Sequence, residues 1–350
     1  MADDQRHPPG APALDKALAA GVVLVLPVRG MGEIRNGADL AQELVEALGP
    51  DGLEDGDILI VTSKVVSKAE GRAGRGDRSA FLAAETARVV ARRGQTEIVR
   101  THHGLVMAGA GIDASNAEPG TVLLLPVDPD ASAQALRVRL AALTGRNVGV
   151  VVSDTAGRAW RNGQVDLAVG AAGVAVMHDY AGRQDSFGNE LAVTAPAVAD
   201  EMAAAADLVK GKLARRPAAL LRGLAGWVHP PHVHGSGAGS LVRPEGQDMF
   251  GFGTREAVLA ALTSDRTGQA GFGRAADAAE LVRVLGVLGV VATGDAGHVD
   301  VPLPEADERT IGRLEAMTEA AAFALGWRLA PQPGESHDPS TLLRFVRSTP

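Results

Sequence analysis

Residues 148–173, VGVVVSDTAGRAWRNGQVDLAVGAAG, limit the fold more than any other stretch. Apart from Gly149, Val148 to Val152 is an unbroken β-branched run, the pattern of a strand buried on both faces. The run stops on Ser153, Asp154 and Thr155, with Gly157 just beyond. A carboxylate and a hydroxyl thus stand at the carboxyl end of a buried strand, where open α/β sheets usually hold their ligands. Arg158, Arg161, Asn162, Gln164 and Asp166 follow before the chain turns apolar again at Leu167 to Val176. Taken alone, the stretch fits two readings: a polar loop in which Asp154 or Thr155 caps a helix, or a ligand site.

The remaining chain has room for such a site. With 350 residues it can form two domains. Aromatic residues make up only 3%, so Val, Leu and Ala must fill the core. The net charge of −8 argues against nucleic-acid binding through a basic patch. Cysteine is absent, which excludes disulfides, thiolate metal sites and a cysteine nucleophile. It also fits a reducing cytoplasm. The first residues lack a basic region, and the apolar run Val22 to Val28 is too short for a span, so neither a signal peptide nor a membrane segment is expected.

In chain order, residues 1–19 read as a disordered tail, with Pro8, Pro9 and Pro12 among polar residues. Gly21 to Gly30 reads as a buried strand, Asp39 to Leu48 as a helix, and Ile58 to Thr62 as a second buried strand. Ser63, Lys64, Ser67 and Lys68 follow directly. They read either as a solvated helix start or as donors for phosphate oxygens. No P-loop is present, since Gly211-Lys212 is followed by Leu213, and no dinucleotide glycine fingerprint occurs. Thr86 to Arg93 is expected to end a basic helix. His102 and His103 are adjacent on an extended segment and point opposite ways, so they do not share a metal.

Ala108 to Gly120 (AGAGIDASNAEPG) carries Asp113 and Asn116 behind two glycines. It is either an Asx-turn loop or, with Asp154, the second carboxylate of a hard-cation site for Mg²⁺ or Mn²⁺. Ala133 to Leu143 and Val198 to Leu213 read as helices, the second ending in Lys210-Gly211-Lys212. His229, His232 and His234 lie in a Pro/Gly-rich linker without an acidic or cysteine partner, and we assign no metal there. Beyond it we expect helices at Thr254–Leu262, Ala275–Leu288 and Glu305–Leu325, with strands at Gly289–Ala292 and near His298–Pro304.

The segments LPVRG, DGDILIVTSKVVSKAEGR, AGAGIDASN, LLPVDPDASA, VVVSDTAGRAWRNGQVDLAVGAAG, YAGRQDSFGNEL and VADEMAAAADLVKGKL, in this order, resemble the coenzyme F420-0:L-glutamate ligases. That family includes the N-terminal domain of the bifunctional actinobacterial F420 ligase. The resemblance covers roughly residues 20–245. It implies an α+β, mixed-sheet ligase domain, followed over 246–350 by a small α/β C-terminal extension of open role. The extension matches the junction to a nitroreductase-like domain but lacks that domain's length, so no FMN site is expected.

The resemblance implies GTP-dependent ligation of L-glutamate to the phospholactyl carboxylate of F420-0 through an acyl phosphate. The products are F420-1, GDP and phosphate, with further γ-linked glutamates in some members. A related ligase acting on another acid and amine is the alternative. The resemblance further implies a cytoplasmic homodimer, no nucleic-acid partner, no covalent nucleophile, two Mg²⁺ or Mn²⁺ ions per site, and K⁺ as an additional candidate ion. Carried over by motif, Leu26, Pro27, Val28, Arg29, Ser63, Lys68, Asn116, Lys210, Gly211 and Lys212 would bind the nucleotide, the first four largely through backbone. Asp113 and Asp154 would hold one metal and Thr155 a second. Lys212 stands where archaeal relatives carry a glutamine ligand of the second metal. A protonated lysine has no lone pair to offer.

Overall fold

The computed structural model describes residues 21–49, 52–115, 119–330 and 342–348. The tail expected over residues 1–19 lies outside them. The chain divides into two compact units. One takes the residues up to Thr86 and Thr101–Val242; the other takes Ala87–Arg100 and the residues from Arg243 on. The segment Ala87–Arg100, expected within the 20–245 domain, groups with the C-terminal unit.

The first unit is built on a five-stranded sheet. Its strands are β1 (Leu24–Pro27), β2 (Ile58–Thr62), β3 (Gly149–Arg158), β4 (Arg161–Ala172) and β5 (Ala218–Arg222), in the spatial order β1-β5-β2-β3-β4. β2 and β3 pair in parallel and all other neighbours pair antiparallel, so β1, β2 and β3 run the same way. Four helices pack against this sheet: α1 (Leu40–Leu48), α2 (Ser63–Ala69), α3 (Pro129–Thr144) and α4 (Val198–Lys210).

Alternation along the strands sorts the core into two layers. Leu59, Val61, Val150 and Val152 pack with Leu44, Val65, Leu136 and Leu140 from α1, α2 and α3. Ile58, Ile60 and Val151 pack on the other face with Ala199, Met202 and Ala206 of α4. Burial on both faces is why β2 and β3 read as unbroken apolar runs. Each fully buried Val, Leu or Ile stabilises the fold by roughly 1.5–3 kcal/mol. The helices start where their caps stand: Asp39 accepts from the Gln42 N–H, and Asp128 accepts from the Ala131 N–H with Pro129 in the first turn.

Two expectations for residues 20–100 change. β1 is an edge strand rather than a buried one, with Leu24 and Leu26 46% and 41% exposed. An apolar run does not reveal which strand ends a sheet. Thr86–Arg93 is a strand; the helix before it, Arg78–Glu85, stops short. The β-branched pair Val89-Val90 favours extended backbone, outweighing the basic residues that suggested a helix end.

β3 continues past Ser153 as one arm of a long hairpin with β4. The register shifts between Val152 and Ser153: Val152 faces Gly170 while Ser153 faces Ala168, which leaves Val169 as an extra residue on β4. This bulge keeps Thr155 opposite Asp166 and Asp154 opposite Leu167.

The amino end of the β2/β3 pair is closed by structural ion contacts. Asp57, 1% exposed, accepts two bonds from the Arg222 guanidinium, at 2.9 and 2.7 Å, and one from the Glu54 N–H. Arg137 of α3 is buried beside Gly173, whose missing side chain leaves room for the guanidinium. Arg137 donates to the carbonyls of Val148, Val233, His229 and Pro230 and to Asn147, and one of its nitrogens lies 3.2 Å from His234 Nδ1. The histidine-rich segment is therefore anchored to the first unit.

The second unit holds a four-stranded antiparallel sheet, in the order Thr293–Gly294, His298–Pro302, Leu342–Arg347, Trp327–Leu329. Leu281, Leu285 and Ala322, from helices Ala278–Val287 and Glu308–Ala324, pack against Val299, Val301, Trp327 and Phe345. Gly289–Ala292 is not a strand; the strand begins at Thr293. Among the described residues, no helix is long and apolar enough to cross a membrane.

Candidate active site

Because β1, β2 and β3 run the same way, their carboxyl ends leave the sheet at one edge. Leu26 to Arg29, Ser63, and Ser153 to Thr155 therefore emerge together. β5 runs the opposite way and begins at that edge, so the chain after Lys210-Gly211-Lys212 enters there too. The Thr62 N–H bonds the Pro217 carbonyl and the Val28 N–H bonds the Ala218 carbonyl. Segments far apart in sequence thus meet at one end of one sheet.

Asp154 is 6% exposed, and the Ser63 hydroxyl donates to its Oδ1 at 2.8 Å. Ser63 opens α2, which is why its side chain points back at the strand ends. Burial pushes the Asp154 carboxyl up to about 6, against the opposing pull of the Ser63 bond and the Lys64 charge, while Asp166 and Asp113 push it further up. Asp113 lies on the loop after Gly109-Ala110-Gly111, three successive residues with φ of 58°, 56° and 70°. Only the alanine among them has a side chain that resists this backbone. Asp113 is fixed by backbone pairing to Leu123 and by the Ser115 N–H and hydroxyl. Its Oδ2 lies 2.8 Å from Lys64 Nζ and 3.9 Å from Lys212 Nζ. Burial raises the Asp113 carboxyl, but Lys64 and Ser115 outweigh this and hold it below the usual carboxylate range. Lys64 is itself raised despite burial, because Asp113, Asp154 and Asp166 all favour its charge.

Thr155 points to the opposite face of the sheet. Its hydroxyl donates to Asp166 Oδ1 at 2.7 Å. Ser153 donates to Asp166 Oδ2 at 2.9 Å, and Lys210 Nζ lies 2.6 Å from that oxygen and 2.8 Å from Ser153 Oγ. All of Ser153, Asp166 and Lys210 are buried. Burial opposes the charge on Asp166, but Lys210, Thr155 and Ser153 together hold the carboxyl below its ordinary value.

The structure thus brings Ser63, Asp113, Asp154, Thr155, Lys210 and Lys212 to one region. Lys64 and Asp166 belong there as well, beyond the residues that the resemblance implies. The signal for Lys210 and its partner was present: Ala199, Ala203, Ala206 and Lys210 share the buried stripe of α4. A lysine on an apolar stripe asks for a buried acid. Four residues expected at the nucleotide have these surroundings. The Lys210 ammonium is committed to Asp166 and Ser153. The Val28 N–H is already bonded within the sheet, and Pro27 has none to give. Lys68, in the last turn of α2, pairs with Glu33 at 2.5 Å. Asn116 lies outside the described residues.

The donors decide which hard cation fits. On the α2 face, Asp154 is a buried carboxylate bonded by a neutral hydroxyl, with Asp113 sharing its lysine. Carboxylate oxygens of this kind suit Mg²⁺ or Mn²⁺. Among the described residues no three metal-ligating side chains already form a cage, so water and substrate oxygens would complete the shell. On the α4 face the fit fails: the Lys210 and Asp166 side chains are 5% and 4% exposed and closed on each other, whereas Asp113, although it also pairs with a lysine, is 30% exposed and open to an arriving ion.

A sequence profile of the family described as F420-0:Gamma-glutamyl ligase matches residues 30–223. The chain is similar to a protein of Archaeoglobus fulgidus named coenzyme F420:L-glutamate ligase, 40% identical over 251 residues, which is 65% of this chain and 96% of that protein. A protein of the same name from Methanopyrus kandleri is 40% identical over 219 residues, 57% of this chain and 86% of that one. Another from Methanocaldococcus jannaschii is 33% identical over 248 residues, 65% of this chain and 94% of its own length.

Proposed function

We propose that this chain, which belongs to the F420-0:gamma-glutamyl ligase family, joins L-glutamate to the phospholactyl carboxylate of F420-0 at the expense of GTP. As a member it is an amide-bond-forming ligase; the nucleotide, the intermediate and the product are the proposal. A carboxylate oxygen of F420-0 attacks the γ-phosphorus of GTP, and the bond to the β-bridging oxygen breaks, releasing GDP. The α-amine of glutamate then attacks the acyl-phosphate carbon, loses a proton, and expels phosphate. Neither step needs a protein nucleophile; both need anionic groups held in line and neutralised.

The observation that carries this reading is the meeting of Asp154, Asp113, Lys64 and Lys212 where β2 and β3 leave the sheet. Lys64 and Lys212 supply point charges for phosphate oxygens. Ser63 orients Asp154. A divalent cation held by Asp113 and Asp154 would neutralise developing phosphate charge. The reading includes a homodimer, supported by the exposed apolar Val22, Val23, Leu24 and Leu26 along the β1 edge, and light scattering tests it.

The deciding experiment is mass spectrometry of products after purified protein is mixed with F420-0, L-glutamate, GTP or ATP, and Mn²⁺ or Mg²⁺. F420 carrying one or more added glutamates, with stoichiometric GDP, is the expected result. No product with GTP, or a product only with a different acid or amine, would overturn the assignment.

A further inference from the structure

The α4 face holds a buried ion pair that the proposed chemistry leaves unused. Lys210 Nζ contacts Asp166 Oδ2 at 2.6 Å and Ser153 Oγ at 2.8 Å. Asp166 Oδ1 accepts the Thr155 hydroxyl at 2.7 Å. Stability alone does not explain such a pair, because apolar residues of similar volume often serve a core as well. Its place does carry meaning: it sits immediately beside Thr155, at the sheet edge where the phosphates would lie. The family resemblance puts a second divalent ion on Thr155. Here that ion would meet a carboxylate that Thr155 shares with an ammonium, in a pair whose side chains are only 4–5% exposed. The position expected to supply its other ligand is Lys212, 61% exposed at its side chain and, when protonated, without a lone pair.

We propose that the Lys210 ammonium takes the place of a second divalent cation at Thr155, so that this chain binds one divalent ion per site. The inference rests on the reading of Asp113 and Asp154 as the first cation site. A fixed ammonium on a packed helix supplies charge without exchange, and the Thr155 hydroxyl is tied to the same carboxylate, donating to Asp166 Oδ1. Lys64, Lys210 and Lys212 balance Asp113, Asp154 and Asp166 at the sheet edge, so a single divalent ion already makes the edge positive towards a nucleotide triphosphate.

The test is a titration of the full chain with Mn²⁺ alone, reading free ion by electron paramagnetic resonance. One Mn²⁺ per chain is expected for the wild type. Lys210→Gln, which removes the charge but keeps a donor for Asp166, is expected to bind two. Lys210→Gln combined with Asp166→Asn is expected to return to one. Two ions on the wild type, or one on Lys210→Gln, would overturn the proposal while leaving the first site intact. No ion on any chain would overturn it together with the reading of Asp113 and Asp154. The wild-type count stands on its own if Lys210→Gln does not fold.

Discussion

Asp57 and Asp154 sit at opposite ends of the same pair of parallel strands, and both are buried. Asp57 is held by a guanidinium gripping both of its oxygens. Asp154 is held by a serine hydroxyl. A bidentate arginine neutralises a carboxylate and uses up its geometry. A hydroxyl orients the carboxylate but leaves its charge standing in a poor solvent for charge. The first arrangement finishes a fold; the second creates a demand for a cation or a proton. The same residue type therefore serves architecture at one end and chemistry at the other, according to what faces it.

Substitution at the open end should break this contrast most visibly. Asp154→Asn keeps the Ser63 contact but removes the charge, and ligation should fall by ~100-fold or more. Initial rates measure this, and an unchanged rate would remove Asp154 from the site. At the closed end, Asp57→Asn should cost stability, about 3 kcal/mol, the low end for breaking a buried pair, because Arg222 is part-exposed and keeps Glu54. Denaturant unfolding checks this, and the rate per folded molecule should hold.

Acidity sharpens the contrast further. The folded carboxyl of Asp154 stands at about 6, above its unfolded value of ~3.9. The folded state therefore binds the proton more tightly, and stability falls as pH rises from about 4 through 6. Above that window the ionised group costs up to about 2–3 kcal/mol. In chelator at pH 7.5, Asp154→Asn should melt higher than wild type, and the gain should fade towards pH 4.5. A variant that melts lower at neutral pH would show that Asp154 is already compensated. The smallest effect concerns the loop that carries Asp113: Ala110→Gly should stabilise by about 0.5–1 kcal/mol, by relieving a left-handed backbone. Thermal unfolding reads it.

Much of this was legible in the sequence. The runs Ile58–Thr62 and Val148–Val152 are two-sided strands, and the polar residues that end them do stand at the site edge. Edge placement of β1 was not legible, because hydrophobicity says nothing about hydrogen-bonding neighbours. Nor was the hairpin that extends β3, since Ser153 to Arg158 resembles a loop until its partner strand is known. The Asp166–Lys210 pair lies 44 residues apart. Its only trace was a charge on an otherwise apolar helix face. Lys64 was visible as one of two lysines after a strand, but sequence could not say which of the two turns inward.

The extra residue at Val169 has a consequence beyond local bending. Were β4 to pair without it, every residue of that arm between the turn and Val169 would change sides, and Asp166 would share a face with Asp154. Two anions would then compete for the same surroundings, and Lys210 would be stranded across the sheet. One inserted position turns the sheet into a partition: each acid has its own compartment, and each can be tuned without disturbing the other.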